Sequence, residues 1–271
     1  MQGAGNDFII IDNMDGAASE AELSRMAAKL CTRHTSIGAD GLMAVIRPQN
    51  GGDYGMRYFN SDGSAGEMCG NGARCIARYG YENGLAGETQ RIETIAGMVT
   101  GRRLGEEDYQ VRLNDPSLIE RAKPVYAGGV EYDCDYVELG NPGIPHAVIL
   151  APDFEKVDRQ SLRRFAMELR YSSVFPKGAN INFVELKGKD RLRIMTYERG
   201  VEDFTMACGT GCASAAAALT LSGAVSGKNV KLENTGGTLT VSLTREGDRI
   251  YDIYLSGPAV MVCRGETCGE I

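Results

Sequence analysis

The sequence predicts an α+β fold of two similar halves, each a strand-rich shell around one central helix. Three observations predict it. A cysteine followed by two spaced glycines occurs twice, as Cys69-Gly70-Asn71-Gly72 and Cys208-Gly209-Thr210-Gly211, each running into an alanine-rich helical pattern. The order of strand and helix patterns also repeats along the 271 residues. Finally, unrelated landmarks recur at a near-constant separation. Cys208 follows Cys69 by 139 residues, Leu162 follows Leu23 by 139, Glu233 follows Glu93 by 140 and Pro258 follows Pro116 by 142. Such self-similarity is the mark of a duplicated unit.

In the first half, Gly3 to Asp7 reads as a turn before the apolar strand Phe8 to Ile11. Leu23, Met26, Ala27 and Leu30 have helical spacing, so 19–33 is an amphipathic helix with Ser19 as its N-cap. Strands follow at Leu42 to Ile46 and Met56 to Asn60. The helix after the first cysteine motif is expected over Gly72 to Tyr81, stopped by Asn83-Gly84. Strands at Gln90 to Glu93, Met98 to Arg103 and Tyr109 to Leu113 close at Asn114-Asp115-Pro116.

The second half restarts with Val137 to Leu139, a turn at Gly140-Asn141 and the strand Ala147 to Leu150. Leu162, Phe165, Ala166 and Leu169 mark a helix, and Gly178-Ala179-Asn180 turns into the strand Ile181 to Leu186. Arg191 to Tyr197 leads to the second motif and a helix over Gly211 to Leu221. Strands at Val230 to Glu233, Thr238 to Leu243 and Ile250 to Leu255 end in Ser256-Gly257-Pro258, and a last strand is expected at Ala259 to Cys263. The expected division is 1–115 plus 257–271 for the half carrying Cys69, and 116–256 for the half carrying Cys208. The active site is expected in the cleft between them, where ligand sites often occur.

Composition narrows the function. With 29 basic and 36 acidic residues the net charge is −7, and no block of Lys and Arg suggests nucleic acid or an anionic membrane. No apolar run reaches the length of a membrane span, and no signal-peptide pattern opens the chain. Eight irregularly spaced cysteines then favour free thiols in a reducing cytoplasm. A homodimer is the base-rate expectation for assembly.

A thiol at a helix start is a specific device. The first-turn N–H groups are unpaired and carry partial positive charge, so they hold a carboxylate and lower the pKa of a nearby thiol. Two copies can grip one carboxylate and aim two sulfurs at the carbon beside it. Burial as small apolar side chains is the ordinary fate of a cysteine, and it is the reading for Cys75 and Cys212 inside the helices. A metal site is disfavoured, because no Cys-x-x-Cys occurs and the only histidines are His34 and His146. Neither the dinucleotide-binding nor the P-loop glycine pattern is met. Asn6, Asn60, Asn141 and Asn180 each fall in a turn beside a strand end, and Arg199 is suited to a two-pronged bond with a carboxylate.

Five stretches together carry a family likeness: Gly5 to Phe8, Phe59 to Ser64, Met68 to Cys75, Tyr197 to Gly200 and Ala207 to Gly211. On these the chain resembles the diaminopimelate epimerases. The resemblance implies two pseudo-symmetric β-barrel-like halves, each holding a helix, and a cofactor-free two-base inversion of a small amino-acid substrate. It assigns Cys69 and Cys208 as the acid–base pair and Gly70-Asn71 with Gly209-Thr210 as the α-carboxylate site. It places Glu198 and His146 near the α-amino group, and Asn6, Asn60, Asn141, Asn180 and Arg199 at the distal end of the substrate. Relative to most members, Val201 to Thr205 adds one residue before Cys208, and Asn141 to His146 is longer than the commonest Asn-Pro-His form. A racemase of another amino acid, such as histidine, is the rival reading on this scaffold.

Overall fold

The computed structural model describes residues 1–66 and 68–268. The chain divides into two compact units, one made of Met1–Arg112 with the segment from Ser256 onwards, the other of Leu113–Leu255.

The first unit contains β1 (Gln2–Gly3), β2 (Asn6–Asp12), α1 (Glu20–Leu30), β3 (Gly41–Ile46), β4 (Tyr54–Asn60), β5 (Ala65–Gly66), α2 (Gly70–Glu82), β6 (Thr89–Thr94), β7 (Gly97–Arg103) and β8 (Asp108–Arg112). Its strands lie in the order β1-β2-β3-β4-β6-β7-β8, with β5 against β4. The β2–β3 and β4–β6 steps are parallel, and the β3–β4, β6–β7 and β7–β8 steps are antiparallel. Parallel neighbours need a crossover, and α1 and α2 supply the two required.

Ser19 caps α1 with a capping box to Glu22, satisfying two otherwise orphaned N–H groups. The helix buries Leu23, Ala27 and Leu30 against Leu42, Ala44 and Phe59, each leucine being worth about 1.5–3 kcal/mol. In contrast, α2 is buried nearly all round. Two of its glycines make that possible. A Cβ on Gly72 would lie 1.7 Å from Met43 Cε, and one on Gly80 would lie 2.5 Å from the Tyr54 hydroxyl.

The second unit runs β9 (Pro116–Ala127), β10 (Val130–Leu139), β11 (Ile144–Leu150), α3 (Arg159–Arg170), β12 (Asn180–Gly188), β13 (Arg191–Tyr197), α4 (Gly209–Leu221), β14 (Val230–Asn234), β15 (Gly237–Glu246) and β16 (Arg249–Pro258). The last three residues of β16 are counted with the first unit. Steps β11–β12 and β13–β14 are parallel, while β12–β13 and β14–β15 are antiparallel. Helices α3 and α4 cross the two parallel steps, so the internal wiring of the first unit is repeated. Asp158 caps α3, which buries Leu162, Ala166 and Leu169, and α4 is enclosed like α2.

Several expectations change. The central helices begin at Gly70 and Gly209, not at Gly72 and Gly211, because the cysteines themselves are the N-caps. Pro116 opens the 12-residue strand β9 where a turn was expected. Most of β9 and β10 lacked a strand signal because the hairpin is half exposed and charged on both faces. Ser256 to Pro258 continues β16, and the expected strand Ala259 to Cys263 is reduced to one bridge between Gln2 and Val260. Asn6 and Asn180 are not in turns but are the first residues of β2 and β12.

Candidate active site

In the first unit, Cys69 has extended backbone (φ −128°, ψ 120°) and caps α2. Its Sγ lies 3.5 Å from Asn6 Oδ1, and Asn71 Nδ2 reaches the same oxygen at 3.4 Å. Asn6 is held in turn by its Nδ2, which donates to Asp40 at 2.6 Å. Beneath the helix start lies the buried Arg74, unremarked in the sequence. It donates to Asn71 Oδ1 at 3.0 Å, to the Gly70 carbonyl at 3.3 Å and to the Pro258 carbonyl at 3.5 Å. Asn6, Cys69, Gly70 and Asn71 are therefore brought together. Asn60, at the end of β4, donates its Nδ2 to Ser64 Oγ at 3.0 Å.

In the second unit, Cys208 has matching backbone (φ −114°, ψ 110°) and caps α4. Its Sγ accepts the Gly211 N–H at 3.4 Å and lies 3.5 Å from Thr210 Oγ1. The helix start favours thiolate, as expected, but it does not win. Burial, with the Glu198 carboxylate next, pushes the Cys208 thiol well above its ordinary value of 9.0. Cys208 therefore holds its proton at neutral pH. Cys75 is pushed up to about 12 by burial, consistent with a packing role.

Around Cys208, the carboxylate of Glu198 accepts from Thr205 Oγ1 at 2.5 Å. In the turn that follows, Glu202 takes φ 57°, pairs with Arg170 at 3.1 Å and accepts the Gly200 N–H at 3.0 Å. His146 on β11 sits directly opposite Asn180 on β12. Asn180 accepts the Arg199 N–H at 2.8 Å and donates to the Pro145 carbonyl at 3.1 Å, so its amide is engaged within the protein. Arg199 donates to the Lys177 carbonyl at 2.9 Å. His146, Asn180 and Arg199 thus form one cluster, whereas Asn141 lies exposed in the turn between β10 and β11.

Two further residues escaped the sequence reading. Asn182 and Thr196 are both buried, with the Thr196 hydroxyl 2.9 Å from Asn182 Oδ1. A Cβ on Gly211 would come within 2.4 Å of that same oxygen. The available signal was a single amide inside the apolar strand after Gly178, since a buried amide must be paired. A surface hollow in the second unit, bordered by Asp115, Ser117, Arg121, Arg249 and Tyr251, contains none of these residues. Among the described residues no group of three or more His, Cys, Asp or Glu is placed to hold a metal, and no helix is long and apolar enough to cross a membrane.

Solved structures with the same fold define the class. A phenazine biosynthesis protein of the PhzF family from Bacillus anthracis superposes with a TM-score of 0.71 at 17% identity, covering 95% of this chain and 92% of that one. Methylitaconate-delta-isomerase superposes with a TM-score of 0.65 at 10% identity, covering 95% and 91%. The fold is thus a two-unit α+β architecture that these solved proteins share.

Sequence relatives narrow the class. The diaminopimelate epimerase family model matches residues 1–118 and 139–262. The diaminopimelate epimerase of Aquifex aeolicus is 37% identical over 286 residues, covering 100% of this chain and 97% of its own length. That of Methanothrix thermoacetophila is 38% identical over 279 residues, covering 100% and 95%. The chain belongs to the diaminopimelate epimerase family and is an isomerase. The stretch between the matched segments covers most of the β9–β10 hairpin, the same region that carried no strand signal.

Proposed function

We propose that the chain interconverts LL- and meso-diaminopimelate by two-base proton transfer at the α-carbon, with Cys69 and Cys208 on opposite faces. Starting with Cys69 as thiolate and Cys208 as thiol, Cys69 takes the α-proton from one face. The electron pair left on carbon is returned to a proton from Cys208 on the other face, and configuration inverts. The reverse reaction exchanges the roles, and the two sulfurs supply both acid and base without a cofactor. The observation that carries this reading is the doubled cysteine cap. Each sulfur stands at a helix start whose N–H groups, at Gly70-Asn71 and Gly209-Thr210, suit a carboxylate and the charge that develops beside it.

The raised pKa of Cys208 supports its assignment as the resting acid. Glu198 and His146 belong near the reacting centre, and Asn6, Asn60, Asn141, Asn180 and Arg199 near the distal amino-acid group. A reducing cytoplasm suits two unoxidised thiols, and a homodimer is the assembly to test by sedimentation. Purified protein is incubated in D₂O with LL-diaminopimelate, meso-diaminopimelate and histidine. Inversion with α-deuteration of diaminopimelate is the expected result; activity confined to histidine would replace the substrate assignment.

A further inference from the structure

His146 is fully buried, and its two ring nitrogens differ in surroundings. Nδ1 faces Asn182 Nδ2 at 3.3 Å, whereas Nε2 meets no hydrogen-bond partner among the described residues. A polar atom left unpaired in a buried position is costly, so it calls for a partner that arrives later.

The orientation of the Asn182 amide settles which nitrogen carries the proton. Its nitrogen lies 3.0 Å from the Ala147 carbonyl and 3.3 Å from the Asn180 carbonyl, both acceptors only. Turning the amide over would set its oxygen against those two oxygens. In the orientation present, Oδ1 instead receives the Thr196 hydroxyl at 2.9 Å. The amide nitrogen facing His146 Nδ1 can donate but not accept, so a proton on Nδ1 would find no acceptor there, and Nδ1 is the lone-pair nitrogen of a neutral ring. The remaining proton belongs on Nε2.

We propose that Asn182 is a positioning residue that locks His146 as the Nε2–H tautomer, and that this donor serves a carboxylate oxygen of the bound amino acid, not its ammonium group. An ammonium offers only donors and cannot pair with an N–H. Burial, with the Arg199 charge opposing protonation as well, pushes the imidazolium form down to about 3, so the ring stays neutral while the enzyme works. This rests on His146 belonging to the site proposed above, and it revises the expected contact with the α-amino group.

The test begins with the wild-type protein, without substrate. The chain has two histidines, so a sample labelled with ¹⁵N-histidine, assigned with His34→Gln, gives one readable ring for His146. A protonated Nε2 and a bare Nδ1, unchanged across the neutral pH range, are expected; a proton on Nδ1 overturns the proposal. Kinetics then test the donor. His146→Gln keeps an N–H near the Nε2 position and should retain kcat/KM within about tenfold. His146→Leu and Asn182→Asp, each verified as folded by thermal melting, should lose roughly tenfold to a hundredfold. Full activity in His146→Leu would also overturn the proposal. If the wild-type ring shows Nε2–H but no diaminopimelate turns over, the substrate assignment fails while the tautomer lock stands.

Discussion

Gly211 donates its backbone N–H to Cys208 Sγ across 3.4 Å, from the first turn of the helix that Cys208 caps. The contact depends on the absence of a side chain at Gly211. A Cβ there would lie 2.4 Å from Asn182 Oδ1 and 3.0 Å from Thr196 Oγ1. Gly211→Ala should cost about 1–3 kcal/mol by overpacking. Because the displaced element carries Cys208, it should lower kcat by about tenfold or more. Thermal melts and steady-state kinetics check both effects.

Glu198 should set the high-pH limb of the profile, where Cys208 loses its proton. Its negative charge opposes ionisation of Cys208, second only to burial. Glu198→Gln removes that charge, favours thiolate and lowers the Cys208 pKa. The limb of the kcat/KM pH profile belonging to Cys208 should move to lower pH. A profile unchanged in Glu198→Gln would detach Glu198 from the proton-transfer chemistry.

Arg74 is the corresponding support in the first unit. Its guanidinium joins the start of α2 to the carbonyl of Pro258 through bonds of 3.0–3.5 Å. Arg74→Met should cost about 1.5–3 kcal/mol of stability, as expected for losing hydrogen bonds from a charged group. It should also slow turnover by loosening Asn71 beside Cys69. Denaturant unfolding and kcat measured on one preparation separate the two effects.

Glu93 makes a prediction about acid stability. The buried carboxylate accepts N–H groups from Gln49, Asn50 and Gly52 at 2.6–2.8 Å, pinning the loop between β3 and β4. These bonds hold its pKa below the ordinary glutamate value of 4.5. A depressed folded-state pKa gives stability that is present above the unfolded value and lost as pH falls through the folded one. Glu93→Gln should melt a few degrees lower at neutral pH, with the gap closing on acidification. A gap that persists in acid would assign the loss to packing instead.

The sequence made the doubled architecture legible because duplication left marks that physics could not erase. The two cysteine caps kept their flanking glycines, since only glycine tolerates the approach of Met43 to Gly72 or of Asn182 to Gly211. The apolar faces of α1 and α3 could be read from spacing alone. The β9–β10 hairpin could not, because its few buried positions, among them Val125, Ala127, Cys134 and Tyr136, are interspersed with charged residues. Arg74, Asn182 and Thr196 were hidden for a related reason. A buried polar residue looks like a surface one until its partners, far away in the chain, are known. The pull of a helix start on a thiol can be read from sequence, whereas the depth of burial that outweighs it at Cys208 cannot.

The most direct test of the paired-thiol account is α-deuterium incorporation from D₂O into LL-diaminopimelate by the wild type, Cys69→Ala and Cys208→Ala. Each variant should stay folded and lose epimerisation by about a hundredfold to ten-thousandfold, the range expected when a positioned acid or base is removed. Either variant inverting and labelling its substrate at the wild-type rate would contradict a mechanism that needs both sulfurs.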